Sequence, residues 1–123
     1  MKKQFRLARN EDFQRVRREG RSWSVPSLVL QTSPSSLPYS RLGLVVSKRV
    51  GKAVVRNHVR RLLREAVRSR WANIKPGWDI VVIARVPAAG ADFWQLSAAV
   101  DLMLERASLL STERSPDQPS TAK

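Results

Sequence analysis

The run of apolar and polar residues along the chain predicts a single small α+β domain, with one sheet of about four strands and three helices. Three observations carry this. The 123 residues fit one domain and leave little room for a second. Hydrophobic residues make up 42%, an ordinary globular level, so a small core is available. The patterns follow one another as helix, two or three strands, helix, strand, helix, which suits one sheet with helices packed on it. The domain is expected over 1–110. Residues 111–123, polar and holding Pro116 and Pro119, read as a disordered tail.

Each element has its own local reason. Asn10 is the expected N-cap of the first helix, with Glu11 and Asp12 in the first turn, where carboxylates suit the helix dipole. Phe13 and Val16 share a face, and Gly20 stops the helix. Ser22–Val25 and Ser27–Thr32 read as strands, and Pro26 between them marks an edge, a bulge or a break. Ser33–Pro38 is a loop by composition. Arg41–Ser47 reads as a mostly buried strand. Gly51 breaks the chain before a helix from about Val54 to Arg70. Lys75-Pro76-Gly77 is a turn. Trp78–Arg85 is the clearest strand, an apolar run bounded by turn signals. Pro87 ends it. Asp92 caps a last helix through about Leu110, whose apolar stripe is Leu96, Ala99, Val100, Met103, Ala107 and Leu110.

Composition excludes several functions. Cys is absent, which removes disulfides, thiolate metal sites and thiol catalysis. With one His, no His-based metal cluster is expected. No apolar run reaches the ~18 residues that span a membrane, and no apolar segment follows the charged start as in a secretory signal. A cytoplasmic protein is therefore expected. No paired carboxylates, Ser-His-acid arrangement or Gly-rich phosphate loop is visible, so no catalytic residue is assigned.

Net charge is +13, far more than solubility requires, which points to a polyanionic partner. Residues 1–71 hold 18 basic and 4 acidic side chains, net +14, while 72–123 hold 5 and 6, net −1. Within Lys48–Arg70 nine basic residues stand against one acid, Glu65. A charge run alone is usually a solvated face or a disordered arm. This one is overlaid on apolar periodicity. With Val55 at zero and ~100° per residue, Val59, Leu62 and Ala66 fall within about 40° and Leu63 at about 80°. Asn57, Arg60, Arg61, Arg64 and Arg68 gather between about 140° and 240° on the same wheel. Val67 and Trp71 fall off the apolar stripe. Stacked like charges weaken a helix unless a polyanion arrives, and Arg forks match phosphate oxygens bidentately. Lys48, Arg49 and Lys52 sit in the turn before the helix and extend the same surface toward its N-terminus. Nucleic-acid binding follows as the leading function. A membrane-surface helix would favour bulky aromatics on the apolar stripe, which here is Val, Leu and Ala. Most of Trp23, Trp71, Trp78 and Trp94 are read as partly buried structure, and none is assigned as a stacking site.

The block Leu42-Gly43-Leu44-Val45-Val46-Ser47-Lys48-Arg49-Val50-Gly51-Lys52-Ala53-Val54-Val55-Arg56-Asn57-His58-Val59-Arg60-Arg61-Leu62-Leu63-Arg64-Glu65-Ala66 resembles the signature of the bacterial ribonuclease P protein subunit. Arg6-Leu7 with Asn10-Glu11-Asp12-Phe13, and Trp78–Arg85, resemble the family's N-terminal region and last strand. The likeness spans roughly 5–110. It implies a left-handed βαβ crossover through the basic helix, opposite to the usual hand. It also implies binding to a catalytic RNA, one protein per RNA, and assistance in removing the 5′ leader of precursor tRNA. The chemistry and the Mg²⁺ would belong to the RNA-containing holoenzyme, with no metal or cofactor held by protein side chains alone. The family's Arg-Asn-Arg motif falls on Arg56, Asn57 and His58. An imidazole at that third position lacks the fixed charge and fork of Arg. The RNA-binding set is thus Lys48, Arg49, Lys52, Arg56, Asn57, His58, Arg60, Arg61, Arg64 and Arg68. The resemblance further implies a leader cleft between the first helix and the sheet, with Phe13, Val16 and Arg17 as candidates. Arg17 and Gln31 stand where the family often has aromatics. The competing reading is a general or ribosome-associated RNA-binding protein with no part in cleavage.

Overall fold

The structure is a computed structural model, and it describes residues 2–111. The expected tail lies outside these apart from Ser111. Helix α1 (Asn10–Glu19) leads into strands β1 (Arg21–Ser24), β2 (Leu28–Pro34) and β3 (Arg41–Val46). Helix α2 (Ala53–Arg68), strand β4 (Trp78–Ala84) and helix α3 (Phe93–Arg106) follow. The strands form one mixed sheet in the order β1-β2-β4-β3. β1 and β2 are an antiparallel hairpin, β4 runs antiparallel to β2, and β3 lies parallel to β4. The crossover from β3 to β4 passes through α2, the basic helix.

Side-chain alternation gives the sheet two faces. Leu28 and Leu30 of β2, Leu42 and Val46 of β3, and Ile80, Val82 and Ala84 of β4 face α2 and α3. The main core lies there, completed by Val59, Leu63, Ala66 and Val67 of α2 and by Leu96, Val100, Met103 and Leu104 of α3. Trp71 fills its floor, and its ring centroid lies 5.8 Å from that of Phe5. The opposite face carries a much smaller cluster, Leu7, Val16 and Val81, with Phe13, Val45 and Ile83 packed at its edge. Among the described residues, α1 is the one helix on that face, joined by the segment at Leu7.

Several details differ from the sequence expectation. Asn10 is the first helical residue, not the cap. Arg9 holds the cap position without a side-chain bond, and Asp12 is drawn instead toward Arg41 at 3.5 Å. Gly20 ends α1 in extended backbone, and its role is close approach: a Cβ would overlap the carbonyl oxygens of Val16 and Thr32. β2 continues through Ser33 and Pro34 because its ladder with β4 runs on to Trp78. Val67 and Trp71 are buried, since the buried face of α2 is centred near Leu63, not Val55. α3 stops at Arg106, and Ser108, with φ 60°, turns the chain so that Leu110 bridges Ile74. Asp92 does cap α3: its side chain accepts from the Gln95 N–H at 2.8 Å, and Gln95 Oε1 accepts from the Asp92 N–H at 2.9 Å.

Candidate nucleic-acid interface

The buried stripe of α2 presses its other side outward in two directions. Asn57, His58, Arg61 and Arg68 are exposed, while Arg56, Arg60 and Arg64 are half-buried along the side that leans toward the sheet. Arg56 is tethered, its Nε donating to the Gly51 carbonyl at 3.2 Å. Arg60 Nη1 donates to Asn57 Oδ1 at 3.1 Å, and Arg61 Nη2 stands 3.4 Å from His58 Nδ1. Arg68 pairs with Glu65 at 3.3 Å. The exposed Lys48, Arg49 and Lys52 continue this surface beyond the helix start. There Gly51 brings the turn against α2, where a Cβ would sit 3.0 Å from Val55. Among the described residues, Lys48, Arg49, Lys52, Arg56, Arg60, Arg61 and Arg64 have no carboxylate partner. Seven cations left without counter-charges hold a concentrated positive field.

Beneath Arg60 lies a groove. Phe13 and Arg17 of α1 form one wall, Val45, Val81 and Ile83 of the sheet form the floor, and Arg60 forms the far wall, around about 330 Å³. A smaller cavity of about 140 Å³ adjoins it, reaching Arg6, Gly43 and Arg64. Gly43 explains how Phe13 is held. A Cβ there would lie 2.5 Å from the Phe13 ring, so the ring rests directly on the β3 backbone. Gln31 lies on this same face of the sheet, opposite Val81 in the ladder.

Two arginines off this surface, Arg41 and Arg70, are matched by carboxylates. Arg41 binds Asp79 through two hydrogen bonds at 2.9 and 2.8 Å, and Arg70 binds Asp101 likewise at 2.8 and 2.6 Å. In each the hydrogen-bonded carboxylate raises the guanidinium pKa above its ordinary value. These two ion pairs tie neighbouring elements of the fold together.

The ribonuclease P family model matches residues 1–108. The chain belongs to this family. The ribonuclease P protein component of Roseiflexus castenholzii is 47% identical over 121 residues, covering 96% of this chain and 99% of that protein. That of Clostridioides difficile is 42% identical over 101 residues, covering 81% and 89%. Among solved structures, the Staphylococcus aureus RNase P protein matches with a TM-score of 0.81 at 33% identity, over 87% of this chain and 98% of that one. The Thermotoga maritima RNase P protein gives 0.75 at 35% identity, over 82% and 96%.

Seen as a ribonuclease P protein, the chain brings most of its expected site residues onto one side. Lys48, Arg49, Lys52, Asn57, His58, Arg60, Arg61, Arg64 and Arg68 share the turn and outward faces of α2, with Arg56 drawn inward. Phe13 and Arg17 line the groove. Val16 does not. It is fully buried under α1 against Val81, because one helical turn from Phe13 its side chain points straight at the sheet. Gly43 was not singled out beforehand. Its signal was a glycine inside an apolar strand, which marks close backbone approach. No helix among the described residues is long and apolar enough to cross a membrane.

Proposed function

We propose that the chain is the protein subunit of ribonuclease P. In this reading the outward arginines of α2 and the Lys48–Lys52 turn bind the catalytic RNA. The groove between α1 and the sheet takes the 5′ leader of precursor tRNA. Together they assist Mg²⁺-dependent endonucleolytic removal of that leader. The observation that carries the reading is the set of seven unmatched cations gathered beside a groove of about 330 Å³ between α1 and the sheet. Phosphates of an RNA helix would replace the missing carboxylates, with release of counterions. In the groove, Arg17 and Arg60 stand on opposite walls and suit the phosphates of a single strand, while the Phe13 ring offers a surface for one base. The protein's contribution is to hold the leader in register, so that substrate entropy is lost on binding and not at the chemical step.

The acidic side chains do not suit a metal-based centre in the protein. Asp79 is occupied by two arginines, and no three His, Asp or Glu side chains gather as ligands among the described residues. Mg²⁺ and hydrolysis are assigned to the RNA-containing holoenzyme, with one protein per RNA.

The test is reconstitution. This chain is added to a bacterial ribonuclease P RNA with precursor tRNA at low Mg²⁺. A large gain in leader cleavage is expected. Tight RNA binding with no gain would instead identify a general or ribosome-associated RNA-binding protein.

A further inference from the structure

The charge cluster beneath α1 lies outside the lining of the groove. Asp79, near the start of β4, is completely buried (0% exposed). A lone carboxylate there would be strongly destabilising, yet its two oxygens take three donors. Arg41 of β3 donates through Nε and Nη2, and Arg15 of α1 donates through Nη2. Arg15 also donates to Ser33 Oγ at 3.1 Å and to the Pro34 carbonyl at 3.3 Å on β2. Arg41 reaches back to Asp12 of α1 at 3.5 Å. One carboxylate thus ties α1 to three strands at once.

This matters because α1 has little else to hold it. Among the described residues, the apolar cluster beneath it has three buried members, Leu7, Val16 and Val81. The residues that fix its seat, Asp12 and Arg15, alternate along the helix with Phe13 and Arg17, which form the groove wall. A rigid-body shift of α1 would therefore change the distance between Arg17 and Arg60 across the groove.

We propose that Asp79 is a positioning residue for the substrate leader. By clamping Arg15 and Arg41 it sets the height and angle of α1, and hence the width of the groove, without touching RNA. This rests on reading the groove as the leader site.

The test uses the reconstituted holoenzyme with the RNA subunit in excess, and two precursor tRNAs, one with a leader of several nucleotides and one with a single nucleotide. Asp79→Asn keeps the shape and removes the charge. The expected result is a rise of about tenfold in KM for the long-leader substrate, with kcat unchanged. The short-leader substrate and affinity for the RNA subunit should stay as in the parent protein. Asp101→Asn, which breaks an ion pair on the α2–α3 side, should change none of these. Equal losses on both substrates would reduce Asp79 to a purely structural residue and overturn the proposal, as would no change at all. If Asp79→Asn fails to assemble, Asp12→Asn decides. It loosens only the outer, partly exposed arm of the clamp, and a leader-selective rise of about two- to threefold is expected; an equal rise on both substrates, or none, overturns the proposal. If the parent protein itself fails to favour the long leader, the groove reading falls, and the proposal with it. A leader preference in the parent that survives in the variants removes the proposal alone.

Discussion

The two faces of the sheet are held in different ways. On the α2–α3 face, Leu28, Leu30, Leu42, Ile80 and Val82 meet two helices, and the attachment is broad, dry and apolar. On the α1 face, one short helix rests on a small apolar cluster and a charged clamp, and part of the sheet stays open. The first arrangement makes a scaffold, because burial is non-directional and cooperative. The second fixes one helix over an open groove, because hydrogen-bonded charges set direction and distance. α2 belongs to both. Its buried side completes the scaffold, and its arginines overhang the open groove.

The largest effect that separates these roles is ionic. If the basic surface meets on the order of six to ten phosphates, RNA affinity falls about 10³–10⁵-fold between 50 and 200 mM salt. Folding stability over the same range should change far less and in the opposite sense, since the main core is apolar and salt screens the self-repulsion of a net charge of +13. Filter binding and thermal unfolding across one salt series measure both. A shallow binding slope would break the assignment of the unmatched cations to phosphates.

Next comes the scaffold. Leu63 is fully buried at the centre of the α2 contact. Leu63→Ala removes packed volume that a sheet and two helices are too constrained to refill, and should cost about 2–5 kcal/mol of stability. Chemical denaturation reads this directly. Phe13→Ala is its counterpart on the open face. The ring is half-buried over Gly43, and its loss should weaken leader binding by about 1–3 kcal/mol, the range for one stacked base. Affinity for the RNA subunit alone should be unchanged. Comparable losses on both RNAs would mean that the groove and the helix face are one surface, and not two.

The scaffold face was the more legible of the two from sequence. Trp78–Ala84 and the α3 cap at Asp92 follow from local patterns that tertiary contacts only confirm. The wheel of α2 found Val59, Leu63 and Ala66 but set its centre on Val55, and so misplaced Val67 and Trp71. A wheel reports which residues are apolar, and which side is covered depends on where α3 and the turn at Trp71–Asn73 come to rest. On the open face, Phe13 lines the groove and Val16 is buried beneath α1, a difference that the shared helical face of the two residues does not reveal. Asp79 drew no attention within its apolar run. Period-2 alternation puts it on the face of Val81 and Ile83, where a carboxylate demands cationic partners. Arg15 and Arg41 lie too far away in sequence for any local rule to name them.

The smallest predicted effect concerns Trp94, which tests how far the interface extends. It is 76% exposed on α3, its ring edge-on to Phe93 with centroids 5.1 Å apart. A large exposed aromatic in an RNA-binding family invites a stacking role. The charge distribution argues against one. Residues 72–123 carry net −1, and Asp101 of the same helix already holds Arg70, so no positive field draws a phosphate backbone to this side. Trp94→Ser should therefore leave RNA affinity and leader cleavage unchanged and alter stability by no more than about 0.5 kcal/mol, as for surface positions generally. A clear loss of RNA binding would show that the interface wraps past α2 onto α3, and the division between scaffold face and open face would have to be redrawn.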